Sequence, residues 1–405
     1  MVAHPCRRNR SVDENTTMAE VMPPKGPISE LETSEAVPDC PKFGDKYEDY
    51  GCTVNAISVE DLFAKYESSG FLYPAKRDRL MPYMAHIMEN WRRSMSGPAN
   101  CILHDVVVYE DPLSGTWASV AYWAATNKSS HSQHLISIGS PKGSQSVLLS
   151  AQSELSNRQV LAAQNWFRPK NRFPAKIFGS CIHPLGDERA VVQEHAYLRL
   201  DRTRIPDSPA EIIVDELSNA DTTLIERLAQ RLCGRVQAKA DEWEARDVCL
   251  ESLDARFREV GLRRFRQVFI ARSPGEQDPI GFAVAYRGPL GLNFSFLENR
   301  CELWIDPDSP PAQHEQAIAA LIHAAAGVYH DFELPDLLVT ASLRDEQVLI
   351  THGARLIQHY NRSIWLQDGY EAWYNHVDGF YDRIRARERR ARCRVGTPAA
   401  RGEAL

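Results

Sequence analysis

From Pro279 to Leu366 the chain alternates short β-favouring runs with helical periodicity in the order strand, hairpin, strand, helix, strand, helix, strand. The pieces are Ile280 to Tyr286, Cys301 to Ile305, a helix from about Gln313 to Tyr329, Leu337 to Ala341, a short helix from Asp345 to Thr351, and Ser363 to Leu366. This order restricts the fold more than any single residue does. It predicts an α/β (α+β) mixed, mostly antiparallel sheet flanked by helices.

The first half of the chain has the same grammar. Apolar positions at helical spacing mark Val59 to Tyr66 and about Asp78 to Ser94. Asp105 to Tyr109 and Trp117 to Thr126 read as strands joined by the turn Glu110 to Gly115. Gln133 to Ile138 is a strand, Ser144 to Ser156 a helix, and Ala175 to Cys181 and Val191 to Leu200 two more strands. Asn127 to His134 reads as a polar connection, and Ile205 to Pro209 as a linker. Helices at Asp221 to Trp243 and Leu250 to Val260, a strand at Arg266 to Arg272 and a turn at Gly288 to Gly291 open the second half. The repeated order of elements predicts a duplication, with one lobe over 53–204 and another over 210–382. A disordered leader is expected over 1–52, where large apolar residues are sparse, and a basic disordered tail over 383–405.

A chain of 405 residues with 43% hydrophobic and 25% charged side chains can bury two cores of ordinary size. Its net charge of −7 gives no overall attraction to nucleic acid or anionic lipid. The nine cysteines form no C-x-x-C pair, which argues against a disulfide framework or thiolate zinc site, so no metal is expected. There is no apolar run long enough to span a membrane. A cytoplasmic setting follows as the expectation.

Between Leu253 and Tyr374 the element order resembles the GNAT acyltransferase family, and Ile305-Asp306-Pro307 is similar to the strand end that precedes its donor-binding loop. The resemblance implies two GNAT-like lobes and transfer of an acyl group to an amine of a small molecule or protein. The co-substrate would be acyl-CoA or an acyl carrier protein thioester, near Ile305, Asp306 and Gln313. Asp308 to Glu315 departs from the family's loop, having no glycine or arginine, two prolines without N–H groups, and acids that repel pyrophosphate. Gly353-Ala354-Arg355-Leu356 and Ser363 to Leu366 look like the family's closing segment. Leu349 stands where the family often has a tyrosine acid, and His352 and Tyr360 are the nearest substitutes. Two other classes stay open: a non-catalytic ligand-sensing or scaffolding descendant, and a tRNA-dependent aminoacyltransferase.

Polar residues are densest from Asn293 to Glu302. Glu298 or Glu302 could take the proton of an attacking amine, with Asn293, Ser295, Asn299 and Arg300 as substrate contacts. Against this stands a solvated strand face on which both acids pair with Arg300. Trp166 to Pro174 mixes aromatic and basic groups that could stack on a ligand or fix a loop. Cys301 reads as an inert core thiol. The arginine-rich run from Arg383 to Arg394 could meet RNA phosphate, with a solvated helix end the stronger reading.

Overall fold

In the computed structural model, which describes residues 50–97, 102–217, 222–276 and 278–395, both halves contribute to one sheet. The first half supplies β1 (Cys52–Val54), β2 (His104–Asp111), β3 (Thr116–Ala124), β4 (Ser129–Ile138), β5 (Ala162–Phe167) and β6 (Ala190–Asp201). From the second half come β7 (Ile213–Glu216), β8 (Phe265–Arg272), β9 (Gly281–Arg287), β10 (Arg300–Ile305), β11 (Asp336–Ala341) and β12 (Arg355–Leu366).

The spatial order is β1-β2-β3-β4-β5-β12-β6-β11-β10-β9-β8-β7. β4 with β5 and β10 with β11 are parallel; the remaining pairs are antiparallel. Each parallel pair is joined by a crossover helix, Pro141–Asn157 in the first half and Pro311–Ala326 in the second. The last strand of each half lies against the other half: β12 sits between β5 and β6, and β6 sits between β12 and β11. The halves therefore share a continuous ladder, and residues of β12 become neighbours of β5.

Local chemistry explains the helix boundaries. Ser58 and Ser140 cap their helices by accepting from the backbone N–H groups of Asp61 and Lys142. Gly234 divides the helix expected over 221–243 into Thr222–Cys233 and Arg235–Ala240. Ile318, Leu321, Ile322 and Ala325 are buried as their spacing requires.

Several expectations need correction. Ala175–Gly179 is a single π-type turn following Pro174, and the strand belongs at Ala162–Phe167. Gln164 and Asn165 interrupt the apolar pattern of that strand, which hides it from periodicity. Ser129 to His134 is strand, with His131 and His134 buried, in place of the expected polar connection. β12 begins at Arg355, well before Ser363. Cys52–Val54 is paired to β2, and residues 1–49 of the expected leader lie outside the described residues. The basic segment is helical through Val395, in the helix Tyr370–Val395, and the remainder lies outside the described residues.

Candidate functional site

The pairing between β4 and β5 stops after Ser129–Ala162, Ser130–Ala163 and His131–Gln164. A bulge causes the parting. The β3–β4 register shifts between Ser119 and Ala121, and His134 adopts φ 58, a conformation that non-glycine residues seldom take. Past this point side chains replace the ladder: Asn165 Nδ2 donates to the Ser132 carbonyl, and Gln133 Nε2 to that of Trp166 at 3.2 Å.

A cavity of about 410 Å³ occupies the gap. Trp166 on its wall belongs to the core beneath the helices Val59–Ser68 and Met84–Met95, whereas Phe167 and Phe178 belong to the core on the other face of the sheet. Adjacent strand residues point to opposite faces. The cavity, hereafter the passage between β4 and β5, is thus lined by residues of both cores.

The second half completes the wall. The strand exchange brings Tyr360 of β12 beside β5, and the loop after β9 brings Asn293 and Ser295. Tyr360 Oη and Ser295 Oγ are 2.5 Å apart; Tyr197 Oη donates to the Ser295 carbonyl at 2.5 Å, and Asn293 Oδ1 accepts from the Ser295 N–H at 2.7 Å. Lys76 and Arg168 are the cations of the lining, and burial followed by repulsion from Arg168 and Arg79 pushes the Lys76 ammonium down to about 8. His134 Nε2 donates to the Leu292 carbonyl, 2.7 Å away, and burial keeps the ring neutral at physiological pH by lowering its pKa to about 3.

Glu298, Arg300, Asn299 and Glu302 are buried under this wall. Glu298 holds His131 at 2.7 Å and Arg264 at 2.6 Å. Burial alone raises its carboxyl pKa, but His131, Arg264 and Arg300 outweigh that and hold it well below the usual range. Glu302 pairs with Arg300 at 2.5 Å and Arg362 at 3.2 Å, and Arg362 reaches Asp241 at 2.5 Å. Arg300 also faces the rings of Tyr286 and Trp166, and Asn299 Oδ1 accepts from Gly288 N–H. Neither a solvated face nor an open cleft describes these acids. Their charges are matched inside the protein.

The other candidates named from the sequence sit around the second crossover helix. Ile305 ends β10, and Asp306 accepts from Asp308 N–H and pairs with Arg231 at 3.2 Å. Gln313 is half-buried in the first turn. Beside it His314 bridges Asp345 at 2.7 Å and Ser309 at 3.2 Å, filling the helix start with side chains. His352 lies 3.8 Å from Glu315.

The first half's crossover helix starts differently, at Gly139-Ser140-Pro141-Lys142-Gly143. A Cβ on Gly143 would stand 2.9 Å from Thr116 Cγ2 and 3.1 Å from Ala118 Cβ, so glycine lets the helix start close against β3. A second cavity, about 490 Å³, lies there between Ser140, Lys142, Gln145 and the helix residues Arg385, Glu388 and Arg389. Sequence reasoning passes over this junction, although a glycine, a lysine and a second glycine between strand and helix are its signal. Among the described residues no group of three His, Cys, Asp or Glu is arranged to hold a metal ion, and no helix is long and apolar enough to cross a membrane.

The exchanged sheet, bulged β4 and twin crossovers make a mixed, mostly antiparallel α/β fold. No family model and no curated protein matches the sequence. Among solved structures it is similar to a tandem GNAT protein from the clavulanic acid biosynthesis pathway, at 12% identity over 78% of this chain and 98% of that one, with a TM-score of 0.37. It is also similar to a GCN5-related N-acetyltransferase from Sphaerobacter thermophilus (12% identity, 78% and 96% covered, TM-score 0.39). A GCN5-related N-acetyltransferase from Anabaena variabilis gives 12% identity, 77% and 72% covered, and a TM-score of 0.30.

Proposed function

We propose that this protein is an N-acyltransferase whose reaction centre is the passage between β4 and β5. One observation carries the reading: a cavity lined by residues of both faces of the sheet, where two parallel strands part, with the Tyr360–Ser295 pair on its wall. In this reading an acyl thioester enters from one face and an amine from the other, which brings the two together for direct transfer.

The donor is acyl-CoA or an acyl carrier protein thioester. Its phosphopantetheine arm follows β4 from Leu135 toward Ser140, about 16 Å at the rise of a strand, and its phosphate end meets Lys142, Arg385 and Arg389. The acceptor nitrogen attacks the thioester carbonyl carbon; the C–N bond forms and the C–S bond breaks. The nitrogen loses one proton to solvent, and the leaving thiolate takes one from Tyr360 Oη, which solvent then restores. Ser295 orients that hydroxyl, and Asn293 fixes Ser295. In this reading Glu298 and Glu302 support the wall from beneath.

The test is mass spectrometry of small amines incubated with acetyl-CoA or longer acyl-CoA donors and the purified full chain. Acylated amine, absent without protein, is the expected result. Free coenzyme A without acylated amine, or no turnover with any donor, would count against it.

A further inference from the structure

The passage carries charge of one sign. Lys76 and Arg168 line it, and among the described residues of its lining none is an aspartate or glutamate, although the whole chain carries a formal charge of −7. Aromatic groups hold the two cations. Lys76 Nζ stands 3.7 Å over the Phe71 ring and 5.3 Å over that of Tyr73, and Arg168 donates to the Tyr73 hydroxyl at 3.0 Å. Arg79, which repels Lys76, bonds the Phe294 carbonyl at 3.0 Å. A simple ammonium entering here meets repulsion. A molecule with a carboxylate beside its amine does not, and its carboxylate would give Lys76 and Arg168 a charge-assisted partner.

We propose that the acceptor is an amino-acid-like molecule, bearing a carboxylate next to its amine and an aromatic or large apolar side chain, with the carboxylate seated on Lys76 and Arg168. Phe71, Trp166 and Phe294 supply the apolar walls. The cationic surroundings also favour the free amine over the ammonium, so nitrogen becomes nucleophilic without a carboxylate base in the passage. This assignment rests on the acyl-transfer reading for its chemistry, but the binding it requires can be measured alone.

Calorimetry on the full chain without donor, with phenylalanine, phenylalaninamide and phenethylamine as probes, tests it. Phenylalanine should bind at least about tenfold more tightly than either neutral-ended probe, the scale of one charge-assisted hydrogen bond. Lys76→Met and Arg168→Met should each remove that preference, phenylalanine losing affinity while the amide, freed from repulsion, loses none. Should Arg168→Met fail to fold, half-buried Lys76 carries the test through Lys76→Gln. Equal binding of the three probes, no binding of any, or a preference that survives in the variants overturns the assignment. Transfer assays with acetyl-CoA separate the two readings: carboxylate-dependent binding with no transfer overturns only the acyltransferase reading. Transfer to phenethylamine as fast as to phenylalanine overturns only this one.

Discussion

His131 Nδ1 lies 2.7 Å from Glu298 Oε1 with both side chains buried, so β4 of the first half is tied to the turn before β10 of the second. Arg264 holds the other carboxylate oxygen at 2.6 Å. A buried pair of this kind contributes little over a well-packed apolar contact, yet breaking it leaves uncompensated charge. Glu298→Gln should therefore lower unfolding stability by about 3 kcal/mol through the stranded Arg264 guanidinium. Denaturant titration checks this. A variant as stable as the parent would mean the network is not what joins the halves.

Acid should destabilise the fold before carboxylates protonate. Burial pushes His104 and His134 down to about 3 and His195 to about 4, below the 6.5 of an unfolded chain. Between those values the unfolded state binds more protons, so stability rises with pH and is lost as pH falls from about 6.5 toward 4, by several kcal/mol in total. Denaturant midpoints at pH 7.5, 6 and 5 should decline in that order. A flat series contradicts the neutral burial of these rings.

Gly291 turns the chain at φ +84 against the helix Met84–Met95, and a Cβ there would collide with Ile87. Trp91 Nε1 donates to its carbonyl at 2.9 Å and Asn90 to that of Leu290 at 3.0 Å. Gly291→Ala should cost about 2 kcal/mol or more, from backbone strain and overpacking together. An unchanged melting temperature would show that the loop can yield.

Tyr360→Phe removes the proposed proton donor and leaves the ring. Turnover should fall by about two orders of magnitude, the scale of a lost general acid, while stability drops by only about 1 kcal/mol for the lost bond to Ser295. If the variant turns over at the parent rate, the thiolate is protonated by another group.

Much of the second half is legible in the sequence because its strands and its long helix are apolar on a clean period: Leu321 and Ile322 fall where spacing puts them, and so do Val339 and Ala341. Polar residues inside strands defeat the same reasoning. Gln164, Asn165, His131 and Arg362 are all buried, and His131 and Arg362 both meet Gln164 across strands distant in sequence. Such partners cannot be paired from one sequence. The cluster Asn293–Glu302 stands out as dense in function-capable groups, but of the candidates within it only Asn293 and Ser295 reach the passage. Which side of a turn faces a cavity depends on the strand exchange, and no local signal carries that.

Hydrogen exchange of the full chain with and without saturating coenzyme A tests most directly whether the donor lies along β4. Protection should appear in Gln133–Ser144, spanning the bulge, the end of β4 and the start of its crossover helix, with Asp306–Glu315 unchanged. Protection confined to Asp306–Glu315 would move the donor to the second half and contradict the account.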